Sequence, residues 1–126
     1  MKCRIILELL AILFFTGCYN REQISRLDEA EALIQNKPDS ALTILQQLKS
    51  EGSQAEQARY ALLYSEALDK NHIKATNDSL IRRAWEYYKH HPKDLRRQCK
   101  TLYYWGKVKL RAGDKPGALR LYLKVE

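Results

Sequence analysis

Hydrophobic residues beyond residue 20 recur three and four positions apart, the spacing that places them on one face of an α-helix. Stretches rich in Asn, Asp, Gly and Pro interrupt this pattern at five places, near residues 36–38, 51–53, 71–78, 90–94 and 113–117. No segment shows the sustained alternation that is typical of a half-buried strand. The sequence therefore predicts an all-α chain in which six helices form hairpins joined by short turns.

Two of the predicted helices carry clear start signals. Asp39 or Ser40 follows the first break and is expected to cap the second helix, because their side chains can accept hydrogen bonds from free backbone N–H groups. Asn77 and Asp78 precede the fourth helix and are expected to cap it in the same way. The helix before the first break carries an apolar stripe that we expect to face the core: Ile24, Leu27, Ala30, Leu33 and Ile34.

The first residues have the pattern of an export signal. Lys2 and Arg4 give a positive start, an apolar run follows from Leu9 to Phe15, and small residues precede Cys18. This run is far shorter than the roughly 20 apolar residues that a spanning helix needs. We therefore interpret residues 1–17 as a signal peptide and residues 18–126 as the mature domain. The alternative is an uncleaved N-terminal membrane anchor.

The segment Phe15-Thr16-Gly17-Cys18 resembles the lipobox of bacterial lipoproteins. The resemblance implies cleavage before Cys18 and lipidation of that cysteine, with palmitate among the acyl groups. It therefore implies an exported protein, held at a membrane of the bacterial cell envelope. Aspartate directly after the cysteine commonly retains such proteins at the inner membrane, and Tyr19 stands there instead, which favours the outer membrane.

The second half of the chain contains an internal repeat. Ala84 and Tyr88 recur as Ala118 and Tyr122, and both pairs are 34 residues apart. A period of 34 residues is the length of the tetratricopeptide repeat. The stretch from Leu102 through Gly113-Asp114 to Tyr122 resembles that repeat closely.

The resemblance implies roles for particular residues of the last repeat. Gly106 stands where the two helices of a repeat cross, and Ala118 stands where the second helix packs closely. Leu102, Trp105 and Tyr122 are the large residues that fill the space around that crossing, since small residues beside large ones allow close packing. In the middle repeat, Ser65 takes the place of Gly106.

The resemblance extends, less closely, over most of the mature chain. It implies antiparallel helix hairpins stacked as a tetratricopeptide-like α-solenoid of about three helix pairs. The three hairpins are expected at about residues 21–50, 55–91 and 94–126. The last helix should expose apolar surface from Leu119, Leu121 and Leu123.

Composition and charge narrow the range of partners. Five Gly and three Pro in 126 residues argue against collagen-like and turn-rich β chains. The net charge of +7 would suggest nucleic acid for a cytoplasmic chain, but an exported chain rarely meets it. We therefore expect no nucleic-acid partner. Anionic lipid headgroups, polysaccharide, acidic protein surfaces and a merely solvated helix face remain as explanations.

Residue types that carry chemistry are sparse. His72, His90 and His91 lack neighbouring acids or cysteines at metal-ligand spacing, and Cys99 lacks the base that a nucleophile needs. We interpret Cys99 as a residue packed between helices and His90 and His91 as a surface helix end. The sequence predicts a protein that is not an enzyme and has neither a cofactor nor a metal.

One helical stripe could bind a partner. In tetratricopeptide arrays the first helix of each pair lines a groove that holds peptides, and the resemblance carries this role to two sets of positions. In the last repeat these are Lys100, Tyr103, Lys107 and Arg111; in the middle repeat they are Arg59, Leu62, Glu66 and Lys70. The basic members could bind an acidic extended peptide by charge-assisted hydrogen bonds. A solvated cationic face without a ligand is the alternative.

The sequence thus predicts a non-enzymatic, membrane-anchored interaction module of the tetratricopeptide type. Its partner would be a protein or acidic peptide in the cell envelope. The alternative is the extracytoplasmic sensor portion of a signalling or regulatory protein, whose output domain is missing from this chain.

Overall fold

The computed structural model describes residues 2–125, apart from the side chains of residues 11–20. The described chain confirms the all-α prediction, because it contains six helices and no strand. The helices are α1 Lys2–Leu33, α2 Pro38–Gln47, α3 Gln54–Lys70, α4 Ser79–Tyr88, α5 Leu95–Arg111 and α6 Lys115–Leu123.

Helix α1 is longer than the stripe in the sequence suggests. It runs without a break from Lys2 to Leu33, so the predicted boundary after residue 17 is not a helix end. The side chain of Cys18 lies outside the described residues. Across residues 2–125, no helix has both the length and the apolar character needed to cross a membrane. The division into residues 1–17 and 18–126 stays a prediction.

The predicted stripe of α1 is buried only in its second half. Leu27, Ala30 and Ile34 are buried, whereas Ile24 is 40% exposed, which corrects its expected place in the core. Its neighbour Gln23 is buried instead and donates hydrogen bonds to the carbonyl oxygens of Lys49 (3.1 Å) and Glu51 (2.8 Å). Here α1 faces the turn after α2, where carbonyl groups need donors rather than apolar contacts.

One expected helix cap is wrong, and another is confirmed in part. Helix α2 begins at Pro38 itself, before Asp39 and Ser40, and its N-cap makes no side-chain hydrogen bond. Proline suits this first position because its missing N–H would have no intrahelical partner. Asp78 makes no capping bond at the start of α4, but the Asn77 Oδ1 atom accepts a hydrogen bond from the Ser79 N–H at 2.8 Å.

Helices that follow one another in the chain pack together, and α3 also contacts both α1 and α5. One apolar cluster joins α1, α2 and α3 around Leu27, Leu45 and Leu63. A second joins α3, α4 and α5 around Ala61, Ala84 and Tyr104. Helix α3 therefore contributes to both clusters and links the two halves of the domain.

The α5–α6 pair has the close crossing that the sequence predicts at Gly106. The Tyr122 ring lies so close that a Cβ atom built on Gly106 would stand 2.4 Å from the Tyr122 Cε1 atom. Ala118 is buried beside this contact, as Ala84 is in α4. Leu119 and Leu123 are exposed as expected, but Leu121 is buried, which corrects its expected exposure.

Replacing Gly106 by Ala should destabilise the chain through this contact. Overpacking costs about 1–3 kcal/mol, and the higher helix propensity of Ala recovers about 1 kcal/mol of it. Thermal unfolding of the full chain, followed by circular dichroism, should show a lower midpoint for Gly106→Ala. In a Tyr122→Ala background the same substitution should not lower the midpoint of thermal unfolding. Equal losses in both backgrounds would show that Tyr122 does not set the size limit at Gly106.

Candidate functional site

The predicted groove residues lie on two helices that contact each other. Helix α3 carries Arg59 and Lys70, and α5 carries the other four, which are Lys100, Tyr103, Lys107 and Arg111. Leu62 and Glu66 also occupy α3, but both are buried, so their expected place on an open groove is wrong. Most of the basic members face acidic side chains two helices earlier in the chain rather than open solvent.

Asp69 of α3 neutralises two of the predicted groove cations. The Lys107 Nζ atom lies 2.6 Å from the Asp69 Oδ2 atom, and Arg111 pairs with the other carboxylate oxygen. Burial acts to raise the pKa of Asp69, but the hydrogen bonds and charges of Lys107 and Arg111 outweigh it. The pKa therefore lies below its ordinary value of 3.8. Asp69 stays ionised and holds both bases against α3.

Glu66 is the most deeply buried charged side chain in the described part of the chain, with 1% of its surface exposed. Its two carboxylate oxygens each lie 3.2 Å from the Lys100 Nζ atom. The Gln35 Nε2 atom, in the turn after α1, donates a further hydrogen bond at 3.1 Å. Burial, the charge of Glu66 and a hydrogen bond with it raise the pKa of Tyr104. Helices α3 and α5 and the turn after α1 thus all contribute to this one carboxylate.

Arg59 of α3 is also held by acidic side chains of an earlier helix. It pairs with Asp28 at 2.6 Å and with Glu31, both on α1. Glu31 also lies 3.3 Å from Arg97 of α5. Burial acts to raise the pKa of Glu31, but the hydrogen bond and charge of Arg59, with smaller effects of Arg97 and Lys100, bring it below 4.5.

The sequence interpretation missed Asp28 and Asp69, and it placed Glu66 on an open groove rather than opposite a base. In each case an earlier helix supplies the acid and a later helix supplies the base: α1 pairs with α3 and α5, and α3 pairs with α5. A signal for this was available, because Asp28 and Glu31 are three residues apart, as are Glu66 and Asp69. Acids three residues apart share a helix face. Each pair of acids could therefore have been matched with the predicted groove bases of a later helix.

Two members of the predicted stripe are not held by an acidic side chain of the described residues. Lys70 makes no ion pair with any described residue. Tyr103 is 46% exposed, and the Lys107 Nζ atom lies 5.5 Å from the centre of its ring. The stripe therefore offers an exposed aromatic ring beside cations that already have acidic partners.

Other candidate residues stand apart from this stripe. Cys99 is a half-buried free thiol on α5, and His72, His90 and His91 are exposed. The His91 ring stacks on Tyr87 at 3.8 Å, and its Nδ1 atom lies 2.7 Å from the Tyr87 carbonyl oxygen. In the part of the chain open to description, no cluster of three or more His, Cys, Asp or Glu side chains could hold a metal ion.

The lowered pKa of Asp69 predicts a loss of stability in acid. The folded chain binds this proton more weakly than the unfolded chain does, so the stabilisation is complete well above pH 3.8 and is lost as the pH falls below it. Urea unfolding at about pH 7 and about pH 3 should therefore give a smaller acid-induced loss for Asp69→Asn than for the natural sequence.

Glu22→Gln is the matched control for that experiment, because Glu22 is exposed and makes no ion pair with a described residue. It should lose as much stability in acid as the natural sequence loses. If Asp69→Asn behaves like this control, the ion pairs with Lys107 and Arg111 do not contribute to folding.

Comparison with known proteins adds no relative. The chain matches no family model, no curated protein and no solved structure. The resemblance of residues 102–122 to the tetratricopeptide repeat therefore depends on those residues and on the Gly106–Tyr122 contact. Any function inferred from this resemblance is therefore a proposal.

Proposed function

We propose that this chain is a non-enzymatic interaction module of the tetratricopeptide type, tethered to a membrane of the cell envelope through lipid on Cys18. It binds a protein or peptide partner with the stripe that α3 and α5 share. The observation that carries the proposal is the crossing at Gly106 and Tyr122. It places a glycine against a large ring at the two positions where the sequence resembles the repeat.

The packing of the helices supports a stack of hairpins. Each odd-numbered helix contacts the next one, α1 with α3 and α3 with α5, while α2 and α4 each contact the helices on either side of them in the chain. A solenoid of three helix pairs has this pattern, because each repeat contacts only its neighbours. In this proposal the three pairs are the hairpins expected at about 21–50, 55–91 and 94–126.

The stripe supports partner binding through Tyr103 and its neighbours. An exposed Tyr offers a rigid apolar surface with a polar tip, and such residues are enriched where proteins bind each other. Lys70 has no acidic partner among the described residues, and Lys107 and Arg111 share the single carboxylate of Asp69. An acidic peptide can therefore bind here by competing with Asp69 for two cations.

The anchoring half of the proposal has a direct test. Intact mass and membrane fractionation of the expressed full-length chain should show loss of the first 17 residues, added acyl mass and sedimentation with membranes. Cys18→Ala should lack the acyl mass and stay in the supernatant. If the natural sequence retains Met1 and stays in the supernatant like the variant, there is no lipid anchor.

The binding half is tested by releasing the cations from their internal acid. Asp69→Asn frees Lys107 and Arg111, so it should bind a fluorescein-labelled extended peptide of glutamates about tenfold more tightly, which is about 1.4 kcal/mol. Adding Lys107→Gln and Arg111→Gln in that background should abolish the gain. No acid is left unpaired in this triple variant, so its fold is not at risk from a buried charge.

Lys74→Gln/Lys93→Gln in the Asp69→Asn background is the matched control, since it also removes two positive charges and both lysines are exposed in the turns before and after α4. It should keep the gain. Fluorescence anisotropy at low and high salt measures all four proteins. If the triple variant binds the peptide as tightly as Asp69→Asn, the stripe is not the binding site.

A further inference from the structure

The outward face of α6 is unusual for this domain. Leu119 and Leu123 lie one turn apart and are 58% and 57% exposed. Arg120 and Lys124 stand beside them, also one turn apart and exposed. The inward face uses small residues, Gly117 and Ala118, together with Leu121. The largest apolar side chains of this helix thus point mainly outward.

The equivalent helices of the earlier hairpins do not do this. On α2 the exposed positions include Thr43, Gln46 and Gln47, and on α4 they include Arg82 and Glu86. None of the large, exposed hydrophobic residues in the described chain lies on α2 or α4. Ordinary solvation therefore accounts for the outer faces of α2 and α4 and leaves the leucines of α6 unexplained.

The 34-residue repeat relates the outward face of α6 to the corresponding positions of α4. Leu119 corresponds to Trp85 of α4, and Trp85 packs against Trp105 of α5 with 6.5 Å between ring centres. Tyr122 corresponds to Tyr88, which is buried where α5 crosses it, whereas Tyr122 is only half-buried. Helix α5 packs against Trp85 and Tyr88 of α4, so a helix has the shape that fits Leu119 and Tyr122 of α6. Leu123 extends this face by one turn, at a position where α4 is followed by the exposed Lys89.

The charge of this end of the chain determines the chemistry of such a helix. Residues 95–125 contain nine Lys and Arg and a single acid, Asp114, a net charge of +8, whereas residues 21–48 carry three bases and five acids, a net charge of −2. Arg120 stands where α4 has Glu86. Neither Arg120 nor Lys124 makes an ion pair with any residue in 2–125. The leucines are therefore flanked by cations that no described acid neutralises.

We propose that Leu119, Leu123, Arg120 and Lys124 form a docking face for an acidic amphipathic helix of a partner protein. The leucines bury its apolar stripe, and Arg120 and Lys124 pair with carboxylates at its edge. The proposal rests on the role as an interaction module, but it uses a face distinct from the stripe of Tyr103 and Lys107. It therefore identifies the partner by its chemistry: helical, leucine-bearing and acidic.

The test uses the full chain in mild detergent and two labelled peptides of about 16 residues, a length at which helices begin to hold together in water. Both peptides carry Leu on one helical face, and they carry either Glu or Lys along its edges. The acidic peptide should bind and the basic one should not. Leu119→Gln/Leu123→Gln and Arg120→Glu/Lys124→Glu should each weaken binding at least tenfold. All four side chains are exposed, so these variants keep the fold.

Three controls separate this proposal from its alternatives. Asp69→Asn/Lys107→Gln/Arg111→Gln should leave binding of the helical peptide unchanged, so that the α6 face and the stripe can fail independently. Sedimentation equilibrium that shows a dimer lost in Leu119→Gln/Leu123→Gln would assign the face to a second copy and overturn the proposal. Binding to phosphatidylglycerol vesicles, lost in Arg120→Glu/Lys124→Glu, without peptide binding would overturn it in favour of a lipid surface.

Discussion

The buried carboxylate of Glu66 constrains the arrangement of the whole domain. A charge taken out of water costs several kcal/mol unless hydrogen bonds and an opposite charge replace the lost hydration. For Glu66 the replacements come from Lys100 and Tyr104 of α5 and from Gln35 in the turn after α1. Helices α3 and α5 and this turn must therefore lie in one relative position. A slip of one helical turn, about 5.4 Å, would leave the carboxylate without partners.

The ion pairs around Glu66 extend this constraint along the chain. Apolar clusters hold α1 to α2 and α3 to α4, but hydrophobic contacts are not directional and tolerate small shifts. The pairs of Asp69 and Glu31 are directional, because each carboxylate meets bases at particular positions of a neighbouring helix. Packing thus supplies most of the cohesion, and the ion pairs select the register. Such pairs add modest stability where they are partly exposed.

Much of the fold could be predicted from local pattern. Helical spacing located all six helices, and the resemblance of residues 102–122 to the tetratricopeptide repeat implied the Gly106–Tyr122 crossing, because both depend on residues close in sequence. The exchange of Ile24 for Gln23 in the buried face could not be predicted. It depends on the carbonyl groups of residues 49 and 51, which only the folded chain brings near α1.

The site was predicted less well for the same physical reason. The spacing of Lys100, Lys107 and Arg111 placed them correctly on one helix face, but spacing cannot show what that face meets. Glu66 and Asp69 lie 31 or more positions earlier in the chain, and packing of α3 against α5 makes them neighbours. Pairing between helices turned an expected cationic groove into a largely neutralised one. Arg120 of α6 and Lys124 just after it are among the cations that make no ion pair with a described residue.

The uneven distribution of charge along the chain also affects how partners approach. The N-terminal hairpin is nearly neutral and the C-terminal one is strongly basic, and this difference gives the molecule a permanent dipole moment along its length. An approaching acidic partner is turned and drawn toward α6 before any contact forms, which accelerates encounter rather than strengthening the final complex. The Debye length is about 8 Å at physiological salt, so this guidance acts only over the last few ångströms of approach. Association is therefore faster in dilute buffer, while the rate of dissociation depends on the leucine contacts.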